Sequence, residues 1–195
     1  MAERPFEITF LARGGQGAWT ASVLVAQAAV IAGKYAQSFP EFGPERSGAP
    51  VRAYARIWDR PIDIHAGITK ADVVAVIDGT LADRAKALVR EGGIVIVNTV
   101  KSPAELRKEL GLPSSVKLYT VDGTKIALET LRKPIANTAI LGSLIRILEK
   151  EGIKYVKLDD LLEATRHVLG ERYSGKIVEA NIEAVRRAYE EVRFE

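Results

Sequence analysis

The sequence contains no cysteine. That excludes disulfides, cysteine nucleophiles and cysteine-ligated metal or iron–sulfur sites in this chain. Histidine is nearly as scarce: His65 and His167 stand far apart and form no metal-binding spacing. There is no unbroken apolar run of membrane length and no signal peptide, so the chain is expected to be cytoplasmic, without membrane contact. Charge of one sign is not in excess either. The net charge is +3, and no basic stripe with interleaved aromatics occurs, which argues against a nucleic-acid partner. What remains is ordinary for a globular protein: 195 residues, 47% apolar and 27% charged, enough for one α/β domain with a full core. No stretch has the composition of an interdomain linker, so residues 1–195 are read as a single domain.

The chain is organised around Phe6–Ala21. Phe6-Glu7-Ile8-Thr9-Phe10-Leu11-Ala12 is short and rich in β-formers and predicts a buried strand. It breaks into Arg13-Gly14-Gly15-Gln16-Gly17, followed at once by an Ala-rich helix from Ala18. Strand, glycine turn and helix form the ground plan of a phosphate cradle: glycines admit close backbone approach, and free N–H groups at a helix start favour an anion. Ala12-x-Gly14-x-x-Gly17 is the dinucleotide fingerprint with its first Gly replaced. The second strand, Lys34–Phe39, lacks the carboxylate that would hold a ribose. The alternative is that the glycines serve only tight strand-to-helix packing.

Helix one should stop at Ala32-Gly33. Pro40–Pro50, with three prolines and two glycines, supports no helix. A link that short cannot easily make a parallel crossover, so the strand Val51–Ile57 is expected to be antiparallel to its neighbour and toward a sheet edge. Ala71–Ile77 and Ile94–Val97 read as central parallel strands, and Val116–Val121 as the last strand. Between them, Leu81–Val89 reads as a helix closed by Gly92-Gly93, and Ser102-Pro103 opens a short helix. Asp-Gly-Thr occurs twice, at 78–80 and 122–124, each time where a strand gives way to a helix. In a doubly wound sheet both copies share the ligand-binding edge with the glycine turn. The plainer reading, which we favour, makes Thr80 and Thr124 helix caps. The C-terminal third is helical: Ala139–Glu149 capped by Asn137 or Thr138 with an apolar face, a helix from Asp159 to Val168, and Lys176–Glu191 with Ile177, Ala180, Ile182 and Val185 inward. The fold class is therefore Rossmann-like three-layer α/β, with a mostly parallel sheet, one antiparallel strand and a helical C-terminal third.

Three stretches together resemble one family: Gly14-Gly15-Gln16-Gly17 with Thr20-Ala21, then Gln37–Val51, then Arg132-Lys133-Pro134-Ile135-Ala136-Asn137-Thr138-Ala139-Ile140-Leu141-Gly142. Their order and spacing look like the gamma subunit of the pyruvate/2-ketoisovalerate (2-oxoacid) ferredoxin oxidoreductases. Ala12 stands where many relatives would have Gly. The resemblance implies oxidative decarboxylation of a 2-oxoacid, with the acyl group passed to coenzyme A and electrons to ferredoxin. It also implies that thiamine diphosphate, Mg and the iron–sulfur clusters sit in partner alpha, beta and delta subunits. This chain would then bind no cofactor alone and carry no catalytic or metal-ligating residue. It would support assembly and hold part of the coenzyme A phosphates at Arg13, Gly14, Gly15, Gln16 and Gly17, with Ser47 and Gly48 closing over them.

Phe39–Val51 carries aromatics and charges on a stiff chain and suits an interface or ligand contact. Its alternative is a loop folded back on its own domain, with Phe39 and Phe42 in the core. Glu41, Glu45, Arg46 and Arg52 are given no acid–base role. Two other functions stay in view. One is a purely structural subunit with an empty cradle. The other is a free-standing nucleotide-dependent enzyme, against which the missing ribose carboxylate and P-loop Lys-Ser/Thr both count.

Overall fold

A computed structural model describes residues 3–41 and 48–195. The elements run β1 (Phe6–Arg13), α1 (Ala18–Ile31), β2 (Tyr35–Pro40), β3 (Pro50–Trp58), β4 (Ala71–Val76), a 3-10 turn (Gly79–Arg84) leading into α2 (Ala85–Leu88), β5 (Val89–Asn98), α3 (Pro103–Leu110), β6 (Lys117–Val121), α4 (Gly123–Leu131), α5 (Asn137–Lys150), α6 (Leu158–Gly170) and α7 (Gly175–Glu191). Among the described residues the strands make one six-stranded sheet in the order β2-β3-β1-β4-β5-β6. β1, β4, β5 and β6 are parallel, while β3 runs antiparallel to both its neighbours, pairing Phe6 with Ile57 and Tyr35 with Trp58. The expected antiparallel strand is thus β3. It lies one place in from the edge, which β2 forms.

Alternation along the strands divides the core into two layers. Ile8, Phe10 and Ala12 of β1, with Ala53, Ala55 and Ile57 of β3, face α1, α5, α6 and α7. Leu11, Tyr54, Val74, Val76, Val95 and Val97 face the side covered by Leu81, Ala85 and Leu106. On β3 this alternation puts Arg56 inside, only 2% exposed. Its Nε donates to Glu7 Oε1 at 2.9 Å, and its Nη2 donates to the Ala66 carbonyl at 2.6 Å. Arg90 pairs with the other Glu7 oxygen. A buried cation needs this much partnering, because an unpaired one is far costlier than the pair itself.

Several local expectations changed. Gly92-Gly93 do not close a helix. They lie within β5, where Ala71 pairs with Val89 but Val73 with Ile94, so the intervening residues bulge out of the ladder. Ser102 caps α3 as expected, in a capping box with Glu105. In both Asp-Gly-Thr units the cap is the aspartate, not the threonine: Asp78 accepts from Thr80 N and Asp122 from Lys125 N. Neither Asn137 nor Thr138 caps α5. Its N-cap is Ala136, without a side-chain bond. α5 is also buried around most of its circumference rather than on one face, as befits a helix packed between a sheet and other helices. α7 buries Ile182 and Val185, but Ile177 at its start is 43% exposed.

The contact between α5 and α7 depends on Gly142. A Cβ there would lie 2.0 Å from the Val185 carbonyl oxygen, and beside it Ser143 Oγ donates to the Ala188 carbonyl at 3.1 Å. Gly142→Ala should destabilise the fold by about 3 kcal/mol, the upper part of the overpacking range, lowering Tm by about 10 °C. A melting temperature within about 2 °C of wild type would show that the helices separate at little cost.

Candidate functional site

The carboxyl ends of β1, β4, β5 and β6 meet at one edge of the sheet, and side chains lash them together. The turn after β1 is fixed first. Gln16 Oε1 accepts from Arg13 N at 2.8 Å and Gln16 Nε2 donates to Asp78 Oδ2 at 2.7 Å. The Gln16 amide, expected as a ligand donor, is therefore engaged at both ends inside the protein. Arg13 lies alongside. Its Nη2 donates to Thr80 Oγ1 at 2.9 Å, its Nη1 donates to the Gly48 carbonyl at 3.2 Å, and its Nε is 3.5 Å from Asp78 Oδ2. Gly14 N donates to the Ala49 carbonyl at 2.9 Å. Gly48 is thus brought against the turn. Ser47 lies outside the described residues, as do Phe42, Glu45 and Arg46.

The two Asp-Gly-Thr threonines act as ties rather than caps. Thr80 receives Arg13, as above. Thr124 is joined to Asn98, whose Nδ2 donates to Thr124 Oγ1 and to the Ile77 carbonyl, both at 2.9 Å, while its Oδ1 accepts from Thr124 N at 3.1 Å. Asn98 therefore ties the ends of β4 and β5 to the start of α4. Nothing in the sequence marked it beyond its place at a strand end.

Gly17 takes φ 80° as the N-cap of α1, a conformation that favours glycine. It also sits against Asn137: a Cβ on Gly17 would come within 2.4 Å of Asn137 Nδ2. The turn and the start of α5, two of the sequence stretches with family character, are in direct contact. Among the described residues, no backbone acceptor takes the N–H groups of Gly15, Gly17, Ala18, Trp19 or Thr20; the first N–H of α1 to be bonded is that of Ala21, to the Gly17 carbonyl. These amides border a cleft of about 760 Å³ lined by Arg13, Gly14, Gly15, Trp19, Pro40 and Arg52. Trp19 is 56% exposed at its mouth. Arg52 is bidentate to Glu41 at 2.5 Å on both oxygens. Phe39 packs inward against Tyr54, so for this residue the loop does fold back on its own core.

The same turn also borders a second cavity, of about 410 Å³, which shares Gly15, Gly17 and Thr20 with the first. Arg132, Lys133, Asn137 and Lys176 belong to its lining. Arg132 has φ 58°, the one non-glycine positive φ among the described residues, in the left-handed C-cap of α4. A side chain there costs about 1 kcal/mol relative to the usual glycine. Sequence reasoning quoted Arg132 and Lys133 within a motif but gave neither a role. A left-handed arginine has no one-dimensional signature.

Residues 7–191 match the family model for pyruvate ferredoxin/flavodoxin oxidoreductase. The chain belongs to this family, as a gamma (PorC-type) subunit. It is 42% identical over 194 residues to the pyruvate synthase subunit PorC of Thermotoga maritima, covering 99% of this chain and 97% of that protein. It is 46% identical over 186 residues to the pyruvate/ketoisovalerate oxidoreductases common subunit gamma of Pyrococcus furiosus, covering 94% and 95%. The crystal structure of the Thermotoga maritima pyruvate oxidoreductase subunit PORC superposes with a TM-score of 0.81 at 39% identity, covering 98% of each chain. The fold recurs in the 2-oxoglutarate:ferredoxin oxidoreductase of Magnetococcus marinus, solved with 2-oxoglutarate, coenzyme A and succinyl-CoA bound. There the TM-score is 0.75 at 18% identity, over 96% of this chain and 31% of that one. In this gamma-type subunit no helix among the described residues is long and apolar enough to cross a membrane.

Burial alone would raise the Asp78 carboxyl. Hydrogen bonds from Thr80 and Gln16 and the Arg13 charge outweigh it and hold the group below its ordinary 3.8. A depressed folded-state value means the stabilisation is present above the unfolded value and lost as pH falls through the folded one. Asp78→Asn, which retains an acceptor but loses the charge, should cost about 1–2 kcal/mol at neutral pH. The gap from wild type should begin to narrow in urea melts taken below about pH 3.8 and keep narrowing as the pH falls further. A gap that stayed constant down to pH 2 would show that the Asp78 charge does not hold the turn.

Proposed function

We propose that this gamma subunit, folding as a single domain over residues 1–195, holds part of the coenzyme A phosphates at the Arg13–Gly17 turn while the assembled enzyme oxidises a 2-oxoacid, pyruvate or 2-ketoisovalerate, to its acyl-CoA. The observation that carries the proposal is the open set of amides at Gly15, Gly17 and the start of α1, flanked by the Arg13 guanidinium. Backbone N–H groups at a helix start, with a charge-assisted donor beside them, match a diphosphate. The solved fold relative with coenzyme A bound supports the choice of ligand. Gly48 would close over the phosphates, and the same role is proposed for Ser47, which lies outside the described residues.

The oxidative chemistry belongs to partners. Thiamine diphosphate with Mg supplies decarboxylation when bound, and iron–sulfur clusters carry the electrons to ferredoxin. With no cysteine, this chain cannot ligate such clusters through thiolates, so we assign these groups to alpha, beta and delta subunits. A cytoplasmic setting in anaerobic metabolism follows from the same reading. The gamma chain binds and orients; it moves no proton and forms no bond. A second reading, a structural subunit with an empty turn, draws on one observation: both ends of the Gln16 amide already bond within the protein.

Two experiments separate these readings. The purified chain, supplied with thiamine diphosphate and coenzyme A, should give no 2-oxoacid-dependent dye reduction until partner subunits are added. Turnover by the chain alone would overturn the division of labour. Within the reconstituted enzyme, Gly15→Val should raise KM for coenzyme A about tenfold, roughly 1.4 kcal/mol, and leave decarboxylation intact. A Cβ at Gly15 meets nothing within 4 Å, so the larger side chain projects into open space rather than the core. Because φ is +92° there, Gly15→Ala serves as the control for backbone strain. An assembled Gly15→Val enzyme with unchanged coenzyme A dependence would favour the empty turn.

A further inference from the structure

The two lateral edges of the sheet are finished differently. At β6 the chain covers its own edge. Thr120 and Arg193 exchange both backbone hydrogen bonds, at 3.2 and 2.8 Å. Phe194 meets the Tyr119 ring edge-on, and Glu195 pairs with Arg107. At β2, nothing among the described residues pairs with the outer edge. The Glu41 amide donates to the Arg52 carbonyl at 2.9 Å. Bonding alternates along an antiparallel pair, so Tyr35, Gln37 and Phe39 bond to β3, while Ala36, Ser38 and Pro40 turn their backbone groups outward. An open strand edge is a template for pairing.

The helix above this edge is also left uncovered. α1 packs on β2, with Ser22 Oγ 2.9 Å from Ser38 Oγ. Residues 18–31 include no charged side chain. A helix without a polar face belongs in an interior, yet Trp19 and Val30 are 56% and 51% exposed. They lie about three turns apart on one face, with Val23 and Gln27 half-buried between them.

We propose that a second copy of this chain covers this surface, with β2 pairing antiparallel to β2 about a two-fold axis at Gln37. In that register Ala36 of each copy exchanges both backbone bonds with Ser38 of the other. Neighbouring registers lose bonds. An axis at Ser38 sets Ala36 against Pro40, which has no N–H. An axis at Ala36 sets Ser38 against Lys34, whose amide already donates to the Ala29 carbonyl at 2.9 Å. With the axis at Gln37, the exposed Tyr35 ring faces Phe39 of the other copy, an aromatic cross-strand pair. The same axis turns the Lys34 end of one strand toward the Glu41 end of the other, so opposite charges meet. α1 runs antiparallel to β2, which brings Trp19 of one copy beside Val30 of the other. The two helices meet without burying a charge. Because α1 lies over β2 and β3, strands ~4.8 Å apart would place the two helices about 10 Å from one another, a packing distance. The proposal does not rest on the coenzyme A assignment.

The test exploits the absence of cysteine. Residues facing each other in a non-hydrogen-bonded antiparallel pair have Cα atoms about 4.5 Å apart, within disulfide reach. Gln37→Cys gives the full chain its sole thiol, at the proposed axis. Wild type should sediment as a dimer at tens of micromolar. Mild oxidation should convert most of the Gln37→Cys chain to a disulfide-linked dimer. Ser115→Cys, at an exposed site before β6, should cross-link at least tenfold more slowly. Val30→Lys should keep the wild-type circular dichroism spectrum yet dimerise at least tenfold more weakly, because it places an unpaired charge in the contact. A wild-type chain that sediments as a monomer overturns the proposal. So does a dimer in which Gln37→Cys cross-links no faster than Ser115→Cys, or one that Val30→Lys leaves at full affinity.

Discussion

The carboxyl edge of the sheet depends on one amide. Gln16 joins the turn to itself through Arg13 N and to the end of β4 through Asp78. With both Gln16 bonds made, Asp78 is acceptor-only: one oxygen takes Gln16, the other takes the Thr80 amide and hydroxyl. That arrangement requires an ionised carboxylate, and the ionised carboxylate in turn draws Arg13 to Thr80 and Gly48. Each bond fixes the geometry that the next one needs. A network of this kind is stable when complete and costly when half made.

The same logic extends along the edge. Asn98 ties β4 and β5 to α4, and Asn137 approaches the carbonyl of Gly17 at 3.4 Å. Apolar packing cannot set such positions, since it is non-directional and tolerates small shifts. The two layers of core bring the strand ends near one another. Short polar side chains, each with few alternatives, then determine where the turn, the threonines and the start of α5 stand.

What the sequence made legible was mostly local. β1, the glycine turn and α1 follow from a seven-residue run rich in β-formers, a glycine cluster and an Ala-rich run. The antiparallel β3 follows from a link too short and too rich in proline for a crossover. Ser102 could be named as a cap because its partner, Glu105, lies three residues away. The errors occurred where the partner was distant. Whether Asp78 or Thr80 caps depends on Arg13 and Gln16, more than sixty residues earlier. The burial of α5 on nearly all sides depends on α7. Arg56 is buried because Glu7 and the Ala66 carbonyl receive it. The cavity of about 410 Å³ combines α1, α4, α5 and α7, and no single stretch of sequence announces it.

The two edges of the sheet handle charge in opposite ways, and this gives the molecule its polarity. At the amino edge, acids and bases are matched within the chain. Arg4 is bidentate to Asp72 at 2.5 and 2.7 Å, and Glu7 is shared between Arg56 and Arg90. These pairs close the edge and leave little charge for a ligand. At the carboxyl edge, the carboxylates of Asp78 and Asp122 are used as caps on backbone amides. Capping spends their acceptor capacity on the fold, whereas Arg132, Lys133 and Lys176 form no ion pair among the described residues. A net charge of only +3 therefore understates the local field, because positive charge and free amides collect where the strands end. In an α/β sheet that end is where ligands bind, and here it combines positive charge with amides that no backbone acceptor takes among the described residues.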